Sequence, residues 1–401
     1  MDAEVLIVGA GPAGASAAVA LAQRGVRDIL LVDRDRFPRD KTCGSGLSPA
    51  ALHLAEELGI GPELRARANP VLTVRFVTPG GEELRVPAGG AAVILLRRDF
   101  DNLLVERARS LGVHLREGFR VIESIEDGGR VRGVRSADGR EIRARLTLFA
   151  DGAHTLFSVD RRERRHIDAL MGWWEGPEFE LGRLDMVFDR ALTPLYGWLF
   201  PETSTRVNIG ICIDAQDEYG RKVPRDLRAT FRAFLDRQYG ELLSRARQVG
   251  RWKGHPIVHT TWIDRVARPG ALLVGESARL THHATGEGIS QAMQSGVFAA
   301  EAIARLMRGE VTEREAWRGY LWALRRRFTA GFAAGHLLRS VVDSAMLDGV
   351  ARLYNDDAFR SAIHRLLGAA LTGTARQEAP AAYVTARTQS VPAEQRESRT
   401  T

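Results

Sequence analysis

The stretch that most constrains the fold lies at the very start of the chain. Val5 to Val8 form a short apolar run, Gly9, Gly11 and Gly14 follow at GxGxxG spacing, and an alanine-rich segment runs on to Gly25. Strand, phosphate loop and helix are the predicted order. Gly9 permits the tight turn, Gly11 lets a pyrophosphate approach the backbone, and Gly14 lets the helix pack close on the strand. The helix N-terminus then offers free N–H groups and a partial positive charge. A second apolar run, Ile29 to Val32, ends at Asp33, where a carboxylate can accept hydrogen bonds from an adenosine ribose. A glycine triplet alone is weak, but with the strand before it, the helix after it and the acid in place it predicts a dinucleotide site.

Composition narrows the partners. The chain has 401 residues, 44% of them hydrophobic and 27% charged, enough to bury a large core and to divide into more than one substructure. The net charge of +7 comes from arginines spread along the chain rather than from one basic block with interleaved aromatics. That pattern suits an anionic cofactor and peripheral contact with an anionic membrane, and argues against nucleic acid. Cys43 and Cys212 are too few for a disulfide framework and have no metal-ligand spacing around them. The first apolar run reads as a strand rather than a leader, and no apolar run has transmembrane length, so a cytoplasmic protein is expected.

The next signal is FPRDKTCGSGLSPAAL, from Phe37 to Leu52. Ser48 and Pro49 cap and start a helix, leaving Cys43 to Gly46 as a glycine-bearing loop at its N-terminus. Beside Lys41 and near a helix end, Cys43 has a setting of the kind that favours a reactive thiol; it serves equally as a small filler where the chain passes a cofactor. Alternating stretches around Pro79-Gly80-Gly81 read as a hairpin, Val93 to Leu96 as a further strand, and the segment after it as a helix with Phe100, Leu103, Leu104 and Ala108 inward. Arg97 or Arg98 at its entry can meet a phosphate, a flavin edge or solvent. Phe119 to Ala150 read as a β-meander that ends in Asp151-Gly152, a strand-end position suited to ligand contact and also a common turn pair.

Between Arg161 and Arg265 the chain turns to strands and aromatics. Tyr196, Trp198 and Phe200, in YGWLFP, can form a rigid apolar wall for a flat or lipid-like ligand, or simply core. Pro224 to Tyr239 are predicted to form an amphipathic helix. A second cofactor signal follows in LLVGESARLTHHATGEGI: a buried strand ends at Gly275-Glu276, and Gly286 and Gly288 open a long helix. FAD is long enough to need this second contact set, so a discontinuous FAD domain is expected. His282 and His283 lie in the connecting loop as candidate proton donors, or as groups that bond only backbone and water. Beyond Thr312, Trp317, Leu321, Leu324, Phe328 and Phe332 recur at helical spacing, as do Phe359, Ile363, Leu366 and Ala370. They suit a helical cover over a substrate cavity, with an interfacial membrane helix pair as the alternative. From Thr372 the sequence has no periodicity and predicts a disordered tail.

Taken together, these residues resemble the geranylgeranyl reductase family of FAD-dependent oxidoreductases, within the glutathione-reductase-like group that includes aromatic hydroxylases. GAGPAG, Asp33, FPRDKTCGSGLSP, the RxxFD pattern from Arg97 to Asp101, ADG at Ala150 to Gly152, YGWLFP and TGEGI from Thr285 follow the family's order. The resemblance implies an α/β Rossmann-like FAD-binding domain over 1–70, 95–160 and 265–310. A mixed β-sheet substrate domain would be inserted as 71–94 and 161–264, with a helical region over 311–371 and the tail over 372–401. It implies that Gly9, Gly11, Gly14 and Asp33 hold the ADP half of FAD, and that Lys41, Arg97, Asp151, Glu276, Gly286 and Gly288 hold the rest. Cys43 and the wall of Tyr196, Trp198 and Phe200 would border the flavin and an isoprenoid substrate. This chain departs from the family in having Glu276 for the usual Asp and His282-His283 for the usual Asn-Pro.

Two reactions are compatible with that resemblance. A prenyl reductase passes hydride from reduced flavin to a C=C bond while an acid such as Cys43 gives the proton. An NAD(P)H-dependent flavin monooxygenase instead hydroxylates or epoxidises a prenylated aromatic or quinolone-type secondary metabolite, with His282 or His283 supplying a proton. NAD(P)H is the expected electron donor for either, meeting the flavin transiently because no second glycine-loop unit is present. A flavoprotein that only binds a lipid or partner is the third class.

Overall fold

The structure, a computed structural model, describes residues 1–155, 165–176, 178–217, 220–342 and 346–354. The apolar repeat from Phe359 to Ala370 and the predicted tail lie outside them. In order, the chain forms β1 (Ala3–Val8), α1 (Pro12–Gln23), β2 (Ile29–Val32), β3 (Gly46–Leu47), α2 (Pro49–Glu57), α3 (Gly61–Arg67), β4 (Asn69–Val77) and β5 (Glu83–Ile94). Next come α4 (Arg97–Ser110), β6 (His114–Arg116), β7 (Val121–Asp127), β8 (Arg130–Ser136), β9 (Glu141–Phe149), β10 (Arg165–Glu175), β11 (Arg183–Val187), β12 (Gly197–Thr203) and β13 (Arg206–Asp214). The chain continues through α5 (Leu227–Ser244), β14 (Arg247–His259), β15 (Ala267–Arg268), β16 (Ala271–Leu273), α6 (Ile289–Met307), α7 (Glu313–Val342) and α8 (Met346–Tyr354).

Two sheets organise these elements into a mixed α/β fold. The first has the order β15-β16-β9-β1-β2-β6, with β16, β9, β1, β2 and β6 parallel and β7 and β8 attached to β9 as a meander. Its central strands β1 and β2 are buried on both faces, as parallel strands covered by helices must be. On one face α1 and α6 pack so closely that a Cβ on Gly296 would lie 2.3 Å from the Ala13 carbonyl oxygen. That contact explains why glycine stands at this point of a face that also carries Ser295, Ala299 and Ala300.

The second sheet has the order β14-β10-β13-β12-β11-β4-β5-β3, and only β11 and β4 pair in parallel. It thus draws 69–94 and 165–259 together, with α5 packed on one face through Phe231, Phe234 and Tyr239. Three details differ from expectation. Val93 and Ile94 are the end of one long strand, β5, which turns at Gly89 and Gly90, both in the left-handed region. Helix α5 starts later and runs further than predicted because Asp226, not Pro224, caps it by accepting from the Arg228 and Ala229 amides. Gly46 and Leu47 pair with β5, so the thiol loop is stitched to the second sheet although it follows the nucleotide unit in sequence. Helix α7 lies on the first sheet by its apolar face: Tyr320 donates to the Leu273 carbonyl at 2.8 Å and Trp317 to that of Arg268 at 3.1 Å.

Candidate functional site

The loop between β1 and α1 has the shape its glycines require. Gly9 sits at φ +100°, and a Cβ on Gly14 would lie 1.8 Å from the Gly9 carbonyl oxygen, so neither position accepts a side chain. Gly11 differs, because a Cβ there would meet only the Arg39 guanidinium, at 3.6 Å. The space above Gly11 is therefore left open by the protein, in front of the α1 N-terminus, as a pyrophosphate requires. Asp33 closes the loop from behind: its carboxylate accepts from the Ala10 amide at 2.7 Å and the Asp35 amide at 2.9 Å. Each oxygen keeps a second lone pair, and a ribose hydroxyl can use it. Burial raises the Asp33 pKa, against the pull of Arg39.

Arg39 is a residue the sequence reading missed. Its guanidinium packs over Phe37 and one nitrogen lies 3.1 Å from Asp101, yet that buried nitrogen has no aligned hydrogen-bond acceptor. The other terminal nitrogen, Nη2, is the group nearest the open space over Gly11, where an anionic cofactor would meet its charge. Asp101 is fully buried and shared: Arg97, one turn earlier on α4, forks it with bonds of 2.7 and 2.8 Å. Arg97 in turn lies beside the Cys43 thiol. The RxxFD pattern is thus an i, i+4 ion pair that links the phosphate loop to the thiol loop through Arg39, Asp101 and Arg97. Arg98 has no part in it.

A second polar cluster joins the two sheets. The Lys41 ammonium lies 3.0 Å from His255 Nε2, and Glu276 approaches the same ring at 3.7 Å while accepting from the Val258 amide at 3.0 Å. Burial, assisted by the charge of Arg97, lowers the Lys41 pKa to about 8. His154 meets His255 edge-on at 5.7 Å, and burial also lowers its pKa. Asp151 belongs to the same wall through Ser277, which donates to it at 2.9 Å and accepts from the Gly152 amide. His255 and His154 were not foreseen, since each is a lone histidine in its own segment. Only the fold brings them to Lys41 and Glu276.

The apolar side of the site is built by β12. Trp198 and Phe200 crowd Gly44, whose Cβ would lie 3.2 Å from the indole nitrogen and 3.0 Å from the phenyl ring. Trp198 is held by its bond to Asn208 at 2.8 Å. Tyr196 donates to the Thr285 carbonyl and stands 3.8 Å from where a Cβ on Gly286 would be, while Gly288 caps α6. The wall therefore spans from the thiol loop to the α6 N-terminus. His282 and His283 do not face this space. His282 bonds the Gly331 carbonyl oxygen at 3.0 Å and Thr285, and both rings pack on Phe332 of α7. His283 is 2% exposed, stacks on His282 and His259, and neither ring nitrogen has a hydrogen-bond partner among the described residues. Burial pushes its pKa down to about 3, and that of His259 likewise, so both are neutral at pH 7.

FAD fits these residues. An open glycine loop with the Arg39 guanidinium beside it suits its phosphates, Asp33 its ribose, and the polar cluster beside the α6 N-terminus its middle and ring. Among the described residues no group of side chains could hold a metal, and no helix is long and apolar enough to cross a membrane.

Comparison with known proteins agrees with this geometry. Residues 2–315 match the family model described as FAD binding domain. The menaquinone reductase of Mycobacterium tuberculosis is 30% identical over 330 residues, 75% of this chain and 76% of that protein. Digeranylgeranylglycerophospholipid reductase 1 of Methanopyrus kandleri is 30% identical over 311 residues, covering 75% and 80%. Among solved structures, a geranylgeranyl bacteriochlorophyll reductase-like protein from Thermoplasma acidophilum superposes with a TM-score of 0.73 at 21% identity, covering 90% of this chain and 99% of that one. A flavin-dependent brominase also reaches 0.73 at 21% identity over 95% and 97%, which shows the shared fold.

Proposed function

The chain belongs to the geranylgeranyl reductase family of FAD-dependent oxidoreductases, and from that premise we propose that it reduces a C=C bond in the prenyl chain of a lipophilic, isoprenoid-bearing or quinone-like substrate. NAD(P)H is the proposed electron donor. Bound FAD, once reduced, supplies the hydride; the remaining tasks fall to the chain. An isolated alkene is a poor hydride acceptor, so a proton must reach the second carbon as the hydride reaches the first. Cys43 gives that proton from its thiol, and the guanidinium of Arg97, fixed by Asp101, stabilises the thiolate left behind. Lys41, with its pKa lowered to about 8, is an acid matched to returning a proton to the sulfur near neutral pH. The wall of Tyr196, Trp198 and Phe200 excludes water and holds the flat or branched apolar chain.

The observation that carries this reading is the contact of Trp198 and Phe200 with Gly44, which sets an apolar surface directly against the proton-bearing loop. The oxygen-inserting alternative drew on His282 and His283 as proton donors, and both are neutral groups packed under α7. The test is to reduce the flavin anaerobically and mix it with a geranylgeranyl lipid that carries no quinone ring. Reoxidation by the alkene without oxygen supports the reading. Reoxidation by air alone, accelerated by substrate, defeats it.

A further inference from the structure

Helix α7 has two unlike faces. The inner one, Trp317, Tyr320, Leu324, Phe328 and Phe332, is buried in the core. The outer one carries Arg318, Trp322, Arg326 and Leu337, all exposed and within about one third of the helix circumference at 100° per residue. Over its full length the helix has six arginines and two acids, Glu313 and Glu315, both in its first turn. Trp322 is 61% exposed, Leu337 67%, and Trp262, in the loop after β14, 60%. That loop is tied to the helix by Arg325, which donates to the Ile263 carbonyl at 2.9 Å and stacks over Trp262 at 4.9 Å. Arg326 stacks over Trp322 at 5.1 Å. Asp264, the acid of the same loop, is held by Arg279.

We infer that this outer face of α7, with Trp262, docks on an anionic phospholipid bilayer. Tryptophan prefers the headgroup region, where its ring is buried and its N–H stays wet, and arginine stems lie along such rings while their charges reach lipid phosphates. A face of arginines, indoles and a leucine complements that surface, and the acid in line with it, Glu315 in the first turn, is occupied by the Thr312 amide and hydroxyl. Burying it against another protein would instead call for partners for the Arg318 and Arg326 charges. The inner face of the same helix holds His282 through Gly331, Phe332 and a close approach at Gly335. The bilayer would therefore lie about one helix diameter, ~10 Å, from the turn that leads to the α6 N-terminus. The inference extends the proposed lipophilic substrate and rests on it for its purpose, though binding is measurable without turnover.

The experiment uses the full FAD-loaded chain and flotation with vesicles of phosphatidylcholine alone or mixed with phosphatidylglycerol. The protein should float with the anionic vesicles, lose binding as salt rises, and show tryptophan quenching by brominated lipid. Replacing Arg318→Gln and Arg326→Gln together should weaken partitioning roughly 30-fold, at about 1 kcal/mol per charge. Replacing Trp262→Ser and Trp322→Ser should abolish the quenching, with flavin content unchanged in both variants. No flotation of the wild type, equal flotation of all variants, or a tryptophan variant that changes only oligomeric state would overturn the inference; the last outcome would assign the face to a second copy of the chain. Turnover of detergent-dispersed substrate separates the two proposals, because its loss with flotation intact removes the reaction and leaves the surface.

Discussion

Gly11→Val separates the fold of the phosphate loop from its use. Gly11 sits at φ −73° and ψ −173°, a conformation any residue adopts, and a Cβ there meets no backbone, only the end of the Arg39 side chain at 3.6 Å. The protein itself should tolerate valine at a cost of about 1 kcal/mol, the ordinary loss at a helix cap. FAD should not tolerate it, because the branched side chain fills the space in front of the α1 N-terminus. Losing two charge-assisted hydrogen bonds at about 1.5–3 kcal/mol each weakens binding by roughly two to four orders of magnitude. The assay is flavin content after purification, a dissociation constant by fluorescence titration, and a thermal melt of the apo form. Gly14→Ala is the contrasting control: its Cβ would lie 1.8 Å from a carbonyl oxygen, so the apo protein itself should melt markedly earlier. A Gly11→Val protein that stays yellow with an unchanged dissociation constant would refute the assignment of this loop to the phosphates.

The remaining predictions concern the groups around the thiol and under α7. Cys43→Ala should lower the rate of flavin reoxidation by an alkene by ~100-fold or more while leaving its reduction by NAD(P)H intact, since general-acid assistance supplies about that factor; stopped-flow measurement of the two half-reactions checks it. Asp101→Asn leaves Arg97 and Arg39 facing a neutral amide in a fully buried position, and should cost about 3–5 kcal/mol in chemical denaturation. His259 and His283 are held neutral by burial, with pKa values near 3 against about 6.5 in an unfolded chain. Above pH 6.5 both states bind the same protons and nothing changes. Below it the unfolded chain takes up protons that the folded one refuses, so stability falls steadily towards pH 3, by up to about 2 kcal/mol per histidine at pH 5. A His283→Phe variant should show a shallower decline in acid melts, and an unchanged slope would contradict the buried, neutral assignment.

What the sequence made legible were features whose cause is local. Gly9 and Gly14 are dictated by a turn and a helix contact inside one strand-loop-helix unit, and the Ser48 cap and the apolar face of α7 follow from short-range pattern. The aromatic wall was visible as YGWLFP, and its place beside the Cys43 loop was implied by family resemblance rather than by spacing; the bond from Tyr196 to Thr285 was not foreseen. The illegible part depends on contacts between distant segments. Arg39 reads as one more arginine until Asp101 on α4 is brought beside it, and His255 reads as a strand residue until sheet pairing carries it to Lys41 and Glu276. His282 and His283 read in sequence either as proton donors or as groups that bond only backbone and water, because nothing local to their loop decides between the two. Phe332 of α7 covers them.

The most direct measurement is the mass of the product from a single anaerobic turnover of reduced enzyme in deuterated water, with a geranylgeranyl lipid that carries no quinone ring as substrate. The expected product has gained two hydrogens across its C=C bond, at least one of them deuterium delivered from an exchangeable acid such as the Cys43 thiol. A product formed only after air is admitted, and heavier by one oxygen atom, would contradict it.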